Sequence, residues 1–70
     1  MALYSYYVNK QPQLNGDHEV HREDCFWLPA THNRIYLGEF SSCHGAVREA
    51  KKIYPQSNGC KYCSKECHTS

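Results

Sequence analysis

The sequence has little of what membrane, secreted or nucleic-acid-binding proteins usually carry. No apolar run approaches the roughly 18 residues that a transmembrane helix needs. The first ten residues lack the basic start and apolar block of a secretion signal. Lys and Arg number 8 against 7 Asp and Glu, a net charge of +1, so the basic excess of a typical nucleic-acid-binding surface is missing. We therefore predict a cytoplasmic protein that does not associate with membranes.

The chain also has too few residues to bury a large hydrophobic core. Its 70 residues predict one domain, residues 1–70, because a doubly wound sheet or a barrel with a cavity needs a longer chain. Domains of this size usually need a cross-link or a metal. The 5 Cys and 5 His favour a metal, since an odd cysteine count and a reducing cytoplasm both argue against a complete disulfide framework. Disulfides and unmodified thiols are the alternatives.

Three segments show the alternation of half-buried strands. They are Tyr4–Asn9, His18–Arg22 and Arg34–Phe40, and Asn15-Gly16 supplies a turn signal between the first two. In the third segment, the alternation places Ile35 and Leu37 on one face and Phe40 on the other. The sequence thus predicts an antiparallel three-stranded sheet.

One helix follows the strands. The apolar stripe at three-and-four spacing consists of Cys43, Ala46, Val47, Ala50, Ile53 and Tyr54, with Ser41 or Ser42 as the N-cap and Pro55 as the stop. Asn58-Gly59 then predicts a turn. The fold class is therefore α+β: a β-β-β-α domain whose helix packs on the sheet, with a cysteine-rich tail that zinc ties to the sheet.

The tail and the second strand contain candidate metal ligands. Cys60 and Cys63 form a C-x-x-C motif, whose turn aims both sulfurs at one ion. His21 and Cys25 form H-x-x-x-C at the end of the second strand. Together these four residues predict a Cys₃His site for a structural Zn²⁺.

Other interpretations of the same residues stay open. Cys67 is an alternative ligand in place of His21, and C-x-x-C motifs also occur in redox proteins. Without the other three residues, His21 would be interpreted as a histidine on the surface of a strand. Cys25 would likewise be interpreted as a small buried hydrophobic residue. Cys43 lies on the helical stripe and is expected in the core.

No catalytic constellation is recognisable in the sequence. We therefore predict a non-enzymatic module that binds nucleic acid or protein. Tyr4, Tyr6, Tyr7 and Tyr36 would offer surfaces for base stacking, or would simply cover a sheet face with their hydroxyls in water. One alternative is a zinc-thiolate methyl acceptor or redox protein with an exposed cysteine, and another is a structural accessory protein. The sequence does not set the oligomeric state.

Two resemblances support this interpretation. The H-x-x-x-C and later C-x-x-C, spanning residues 18–63, resemble the zinc module of Ada-type DNA phosphotriester repair proteins, which uses C-x-x-x-C and C-x-x-C on one zinc. His21 stands where that module has its first cysteine. The resemblance implies a single zinc on His21, Cys25, Cys60 and Cys63, and in that family one zinc-bound cysteine accepts a methyl group. Separately, the segment GEFSSCHGAVREAKK resembles small bacterial β-β-β-α domains of uncharacterised function.

Overall fold

The computed structural model describes residues 2–69 as a small α+β fold with a four-stranded mixed sheet and one helix. Its elements are β1 Tyr4–Asn9, β2 His18–Arg22, β3 Arg34–Phe40, α1 Cys43–Ile53 and β4 Ser57–Gly59, with short 3-10 turns at Thr31–Asn33 and Lys65–Cys67. The α+β class and the three predicted strands are confirmed. The prediction of a purely antiparallel, three-stranded sheet is wrong. Within residues 2–69, no helix is long and apolar enough to span a membrane.

The fourth strand is the element that the sequence analysis missed. The strand order is β3-β1-β2-β4, and β4 pairs with β2 in parallel, with His18 opposite Ser57 and Val20 opposite Gly59. The predicted turn at Asn58-Gly59 is therefore a short buried strand. Its polar groups are satisfied there, because the Asn58 side-chain oxygen accepts hydrogen bonds from the amides of Gly59 and Thr69, each at 3.0 Å.

The hydrophobic core lies between the sheet and α1. It contains Tyr6 and Val8 of β1, Val20 of β2, and Cys43, Ala46 and Ala50 of α1, none more than 6% exposed. Val47 and Tyr54 pack at its border. The alanines let the helix approach the strands closely, so a small chain excludes water from this layer.

Two details of the predicted helix differ. Ile53 was placed on the apolar stripe, but it is 46% exposed, because it is the last helical residue and lies beyond the edge of the core. Ser42 occupies the N-cap position, yet its side chain makes no capping hydrogen bond. The helix is therefore held by its packing more than by its N-cap.

An irregularity in β3 changes which residues face the helix. The register against β1 shifts between Tyr6, which pairs with Gly38, and Tyr7, which pairs with Tyr36. Gly38 has φ +121°, a conformation that favours glycine. The shift turns Phe40 onto the core with Ile35 and Leu37, which corrects the predicted alternation.

One end of the sheet collects the elements that carry cysteine and histidine. Because β4 runs parallel to β2, both strands end there. The strand β3 is antiparallel to β1, as β2 is, so it also ends there and α1 begins nearby. The last residues of β2, the segment after β4 and the first turn of α1 are consequently neighbours.

The buried face of α1 generates the first prediction. Ala50→Asp places a charge at a fully buried position, which should cost about 3–5 kcal/mol and abolish most of the stability of a small domain. Lys52→Ala is the control: Lys52 is 68% exposed and pairs only with Glu49, so its loss should cost under about 0.5 kcal/mol. Urea denaturation followed by circular dichroism measures both. Equal midpoints would contradict the assigned helix face.

Candidate metal centre

Four side chains from opposite parts of the chain meet at this end of the sheet. His21, Cys25, Cys60 and Cys63 each offer one ligand atom, and these atoms all lie within 4.8 Å of one another. They are the four residues of the H-x-x-x-C and C-x-x-C motifs, from which the sequence predicted a metal site. His21 and Cys60 are 1% exposed, and the other two are partly buried.

The spacing of these atoms matches the edges of a tetrahedron around one ion. The Sγ of Cys25 is 3.6 Å from Nδ1 of His21 and 3.9 Å from Sγ of Cys60, and Sγ of Cys63 is 3.9 Å from Nδ1 of His21. Bond lengths of about 2.3 Å to sulfur and about 2.0 Å to nitrogen give tetrahedral edges of about 3.8 Å and 3.5 Å. These three distances are close to those edges, and all the ligand atoms lie within 4.8 Å of one another, so the four donors are positioned to hold one metal ion.

Backbone hydrogen bonds position each pair of ligands. The Cys25 amide donates to the carbonyl of Arg22 at 2.9 Å, which closes the turn that leaves β2. The Cys60 amide donates to the carbonyl of Val20, and the Ser64 amide to the carbonyl of Cys60, both at 2.9 Å. The first of these two bonds extends the β2–β4 pairing by one residue, so the C-x-x-C turn starts directly beside His21.

Neighbouring polar groups support the ligands. Oε1 of Glu19 lies 3.6 Å from Nε2 of His21, so a carboxylate faces the ring nitrogen opposite the one near the thiols. The backbone amide of Arg22 donates to Sγ of Cys63 at 3.3 Å. Glu19 was not among the predicted site residues, although strand alternation places it on the same face as His21.

Burial sets the protonation of the four ligands. Desolvation lowers the pKa of His21 to about 4, so the imidazole is neutral at physiological pH, the form that binds metals. Desolvation also raises the pKa of Cys25, Cys60 and Cys63. A metal ion must therefore displace thiol protons when it binds, which makes binding dependent on pH.

Cys67, the alternative ligand, lies outside this centre. It forms a disulfide with Cys43 at the start of α1, across a sequence separation of 24 residues. His44 joins these two in a second group of close Cys and His atoms, but sulfurs bonded to each other offer no thiolates. The disulfide was not predicted; Cys43 lies in the core as expected.

The remaining histidines have other contacts. The ring of His18 stacks on Tyr54, with centroids 3.7 Å apart, so it lies on the helix side of the sheet and away from His21, as strand alternation predicts. His32 is exposed in the first 3-10 turn. Nδ1 of His68 is 3.1 Å from the carbonyl oxygen of Gly59, which fastens the tail to β4.

Three exposed aromatic side chains border the centre, and we call them the aromatic patch: Phe26, Trp27 and Tyr62. They are 88%, 56% and 64% exposed. The Trp27 ring centroid is 5.1 Å from that of Phe26 and 6.0 Å from that of Tyr62. Trp27 lies two residues after Cys25, and Tyr62 lies between Cys60 and Cys63 in the sequence. The position of the patch thus depends on the centre.

A groove runs beside the aromatic patch. Its volume is about 630 Å³, and it lies between the loop joining β1 to β2 and the C-x-x-C segment. Trp27 and Tyr62 form its aromatic side, and Gln11, Gln13 and Asn15 contribute amides opposite. By contrast, Tyr6 of the predicted stacking tyrosines is buried. Beside the candidate centre, Phe26, Trp27 and Tyr62 are all exposed.

Comparisons with protein-family models, with curated proteins and with solved structures find no match. The Ada-type resemblance therefore stays a prediction, and function has to be argued from the residues of this site.

The geometry yields a prediction that ranks the ligands. His21→Ala should weaken metal binding by about 100-fold or more, because one of four donors is lost from a buried site. Cys67→Ser should keep one equivalent of metal, since Cys67 contributes nothing to the tetrahedron. His32→Ala is the matched histidine control. Elemental analysis and competition with a chromogenic chelator measure content and affinity. Metal retained in His21→Ala but lost in Cys67→Ser would contradict this assignment.

Proposed function

We propose that this protein is a zinc-stabilised, non-enzymatic interaction domain that binds a protein partner through the aromatic patch. The observation that carries the proposal is the coincidence of two features. A tetrahedral Cys₃His set closes the end of the sheet, and the exposed aromatic side chains are attached to its ligand loops.

The donor chemistry supports zinc as the ion. Three thiols and one neutral imidazole suit a borderline-soft ion with tetrahedral habit, whereas calcium and magnesium prefer oxygen ligands. Cys60 and Cys63 follow His21 by about forty positions in the sequence, so one ion would close a long loop and stabilise the fold.

The number of ligands supports a structural role for the ion. Catalytic zinc sites keep a coordination position open for water or substrate. Here four protein donors lie within 4.8 Å of one another, enough to fill every position around a tetrahedral ion, and two of the four residues are nearly inaccessible. The centre therefore serves to hold the two loops in register, and the chemistry of binding falls to the surface around it.

The surface chemistry favours a protein over a nucleic acid. Trp, Tyr and Phe are enriched at the centres of protein interfaces, where they act as rigid anchors. A nucleic-acid surface needs several cations to neutralise phosphates, but the net charge of this chain is only +1. Amides along the groove would pair with the backbone of a bound peptide.

Removing the metal tests the zinc component. Protein purified without added metal should contain one equivalent of zinc, and a strong chelator should unfold the tail and the loop after β2. Acid should have the same effect. Burial raises the pKa of the three thiols, so protons compete strongly with the ion, and the stability that it contributes is present near neutral pH and lost as pH falls.

The single tryptophan makes this experiment direct. Trp27 lies two residues from Cys25, so its fluorescence should change together with zinc release to a chromogenic indicator. A fully folded protein with far less than one equivalent of any metal would contradict the zinc proposal.

Peptide selection tests the partner component. Zinc-loaded protein is used to select binders from a displayed peptide library, and Trp27 fluorescence then measures their affinity. Tyr62→Ser should weaken the selected peptides by about tenfold or more, as expected when a hot-spot side chain is removed. Tyr36→Ser is the matched control, because Tyr36 is 56% exposed but lies against Tyr7 on the sheet.

Two results would contradict a protein partner. One is a set of peptides whose affinity is equal in Tyr62→Ser and Tyr36→Ser. The other is salt-dependent binding of a single-stranded oligonucleotide that Tyr62→Ser abolishes, with no peptide selected. Because the zinc measurements are separate, either result leaves the metal component intact.

A further inference from the structure

The Cys43–Cys67 disulfide lies outside the proposed zinc centre and outside the aromatic patch. It joins the first residue of α1 to the 3-10 turn Lys65–Cys67, with Cα atoms 6.3 Å apart. The other cysteines, Cys25, Cys60 and Cys63, are free thiols. The chain thus contains one oxidised pair beside three reduced residues, and the surroundings of the pair are different on its two sides.

A small polar cavity borders the Cys43 side. Its volume is about 320 Å³, and its lining includes Ser41, Ser42, Cys43, Lys65 and Glu66. Tyr62 and Cys63 form another part of its wall, so the cavity lies between the disulfide and the proposed metal centre. Arg22 also contributes to the wall, although its guanidinium pairs with Asp24 at 2.6 Å. Cations, an anion and hydroxyls surround this space. Its chemistry suits a small molecule that carries both carboxylate and ammonium groups.

A histidine with a carboxylate partner borders the Cys67 side. Nδ1 of His44 is 3.6 Å from Sγ of Cys67, and Nε2 of His44 is 3.5 Å from Oε2 of Glu66. The His44 side chain is 61% exposed, so its ring is in contact with water. With Nδ1 protonated, His44 donates to Cys67 while Glu66 stabilises the charged ring. This arrangement assists a departing Cys67 sulfur.

We propose that the Cys43–Cys67 disulfide is a thiol–disulfide exchange site for small charged thiols, which attack Cys43 from the polar cavity while Cys67 leaves towards His44. The attacking thiolate, having lost its proton to water, forms a bond to Sγ of Cys43. The Cys43–Cys67 bond breaks, and its electron pair goes to Sγ of Cys67, which takes a proton from Nδ1 of His44. His44 regains a proton from water.

A second equivalent of the same thiol completes the reduction. It attacks the sulfur of the bound small molecule, and Cys43 leaves as a thiolate at the N-terminus of α1, where the helix dipole stabilises negative charge. Two small thiols are oxidised to one small disulfide, and one protein disulfide is reduced to two thiols. The reverse sequence, with the small disulfide as oxidant, restores the bond.

Reduced glutathione is the probe, because it is a thiol with two carboxylates and an ammonium group. Zinc-loaded protein is incubated with glutathione, quenched with acid and alkylated, and the peptides are mapped by mass spectrometry. The expected result is a transient glutathione adduct on Cys43, followed by free Cys43 and Cys67. Cys25, Cys60 and Cys63 should carry no adduct.

Surface variants separate exchange from a purely structural disulfide. His44→Ala should slow reduction by about tenfold, since the leaving sulfur loses its proton donor, and His32→Ala should not change it. Lys65→Ala should slow glutathione but not 2-mercaptoethanol, which has no charged groups, and Lys61→Ala is the matched lysine control. Each of these residues is exposed, so the fold is not at risk.

Three outcomes would overturn the proposal. The first is an adduct on Cys67 in place of Cys43. The second is reduction at equal rates in His44→Ala and His32→Ala. The third is a disulfide that glutathione reduces only in denaturant, which would assign it a structural role alone. The adduct is read from peptide masses, so a failure here is independent of whether the aromatic patch binds a partner.

Discussion

The pairing of β4 with β2 is the constraint on which the rest of this structure depends. Three residues, Ser57–Gly59, add a parallel strand at the edge of the sheet, and the Cys60 amide continues the ladder onto Val20. That pairing carries Cys60 and Cys63 to the end of β2, where His21 and Cys25 lie. It also directs the tail towards the start of α1, where Cys43 lies. Without it, neither group of cysteines could assemble.

Close packing on Gly59 fixes the path of the tail. A Cβ atom at this position would lie 2.6 Å from Cys67 Cβ and 2.6 Å from the Ser64 carbonyl oxygen, closer than atoms can approach. Only glycine therefore lets the segment that contains Ser64 and Cys67 fold back over β4. The tail makes two connections from this point: Cys60 and Cys63 meet His21 and Cys25 at the sheet, and Cys67 is bonded to Cys43 of the helix. A chain with so small a core gains much of its order from them.

Local pattern predicted the elements, and non-local pairing accounts for what it missed. The alternation of apolar and polar residues predicts the bounds of β1, β2 and β3. The three-and-four spacing of apolar residues predicts the buried stripe of α1. The meeting of His21, Cys25, Cys60 and Cys63 was predictable because each pair forms a short motif at the end of an element. β4 was not, because Ser57-Asn58-Gly59 is polar and resembles a turn. Parallel pairing depends on residues forty positions away. The Cys43–Cys67 bond needed the same long-range information, and the core position of Phe40 needed the irregularity at Gly38.

The odd cysteine count has a physical explanation in this arrangement: two cysteines form a disulfide, and the other three belong to the candidate metal centre. Cys25 and Cys60 have sulfurs only 3.9 Å apart, so proximity alone does not decide which pair is joined. Burial raises the pKa of both thiols, which keeps them protonated and poor as nucleophiles. A bound ion would also occupy the sulfur lone pairs that oxidation needs. Cys43 and Cys67, by contrast, meet where the start of α1 faces the 3-10 turn of the tail, and they are joined there. The fold thus separates the disulfide from the three free thiols, although all five cysteines lie at the same end of the sheet.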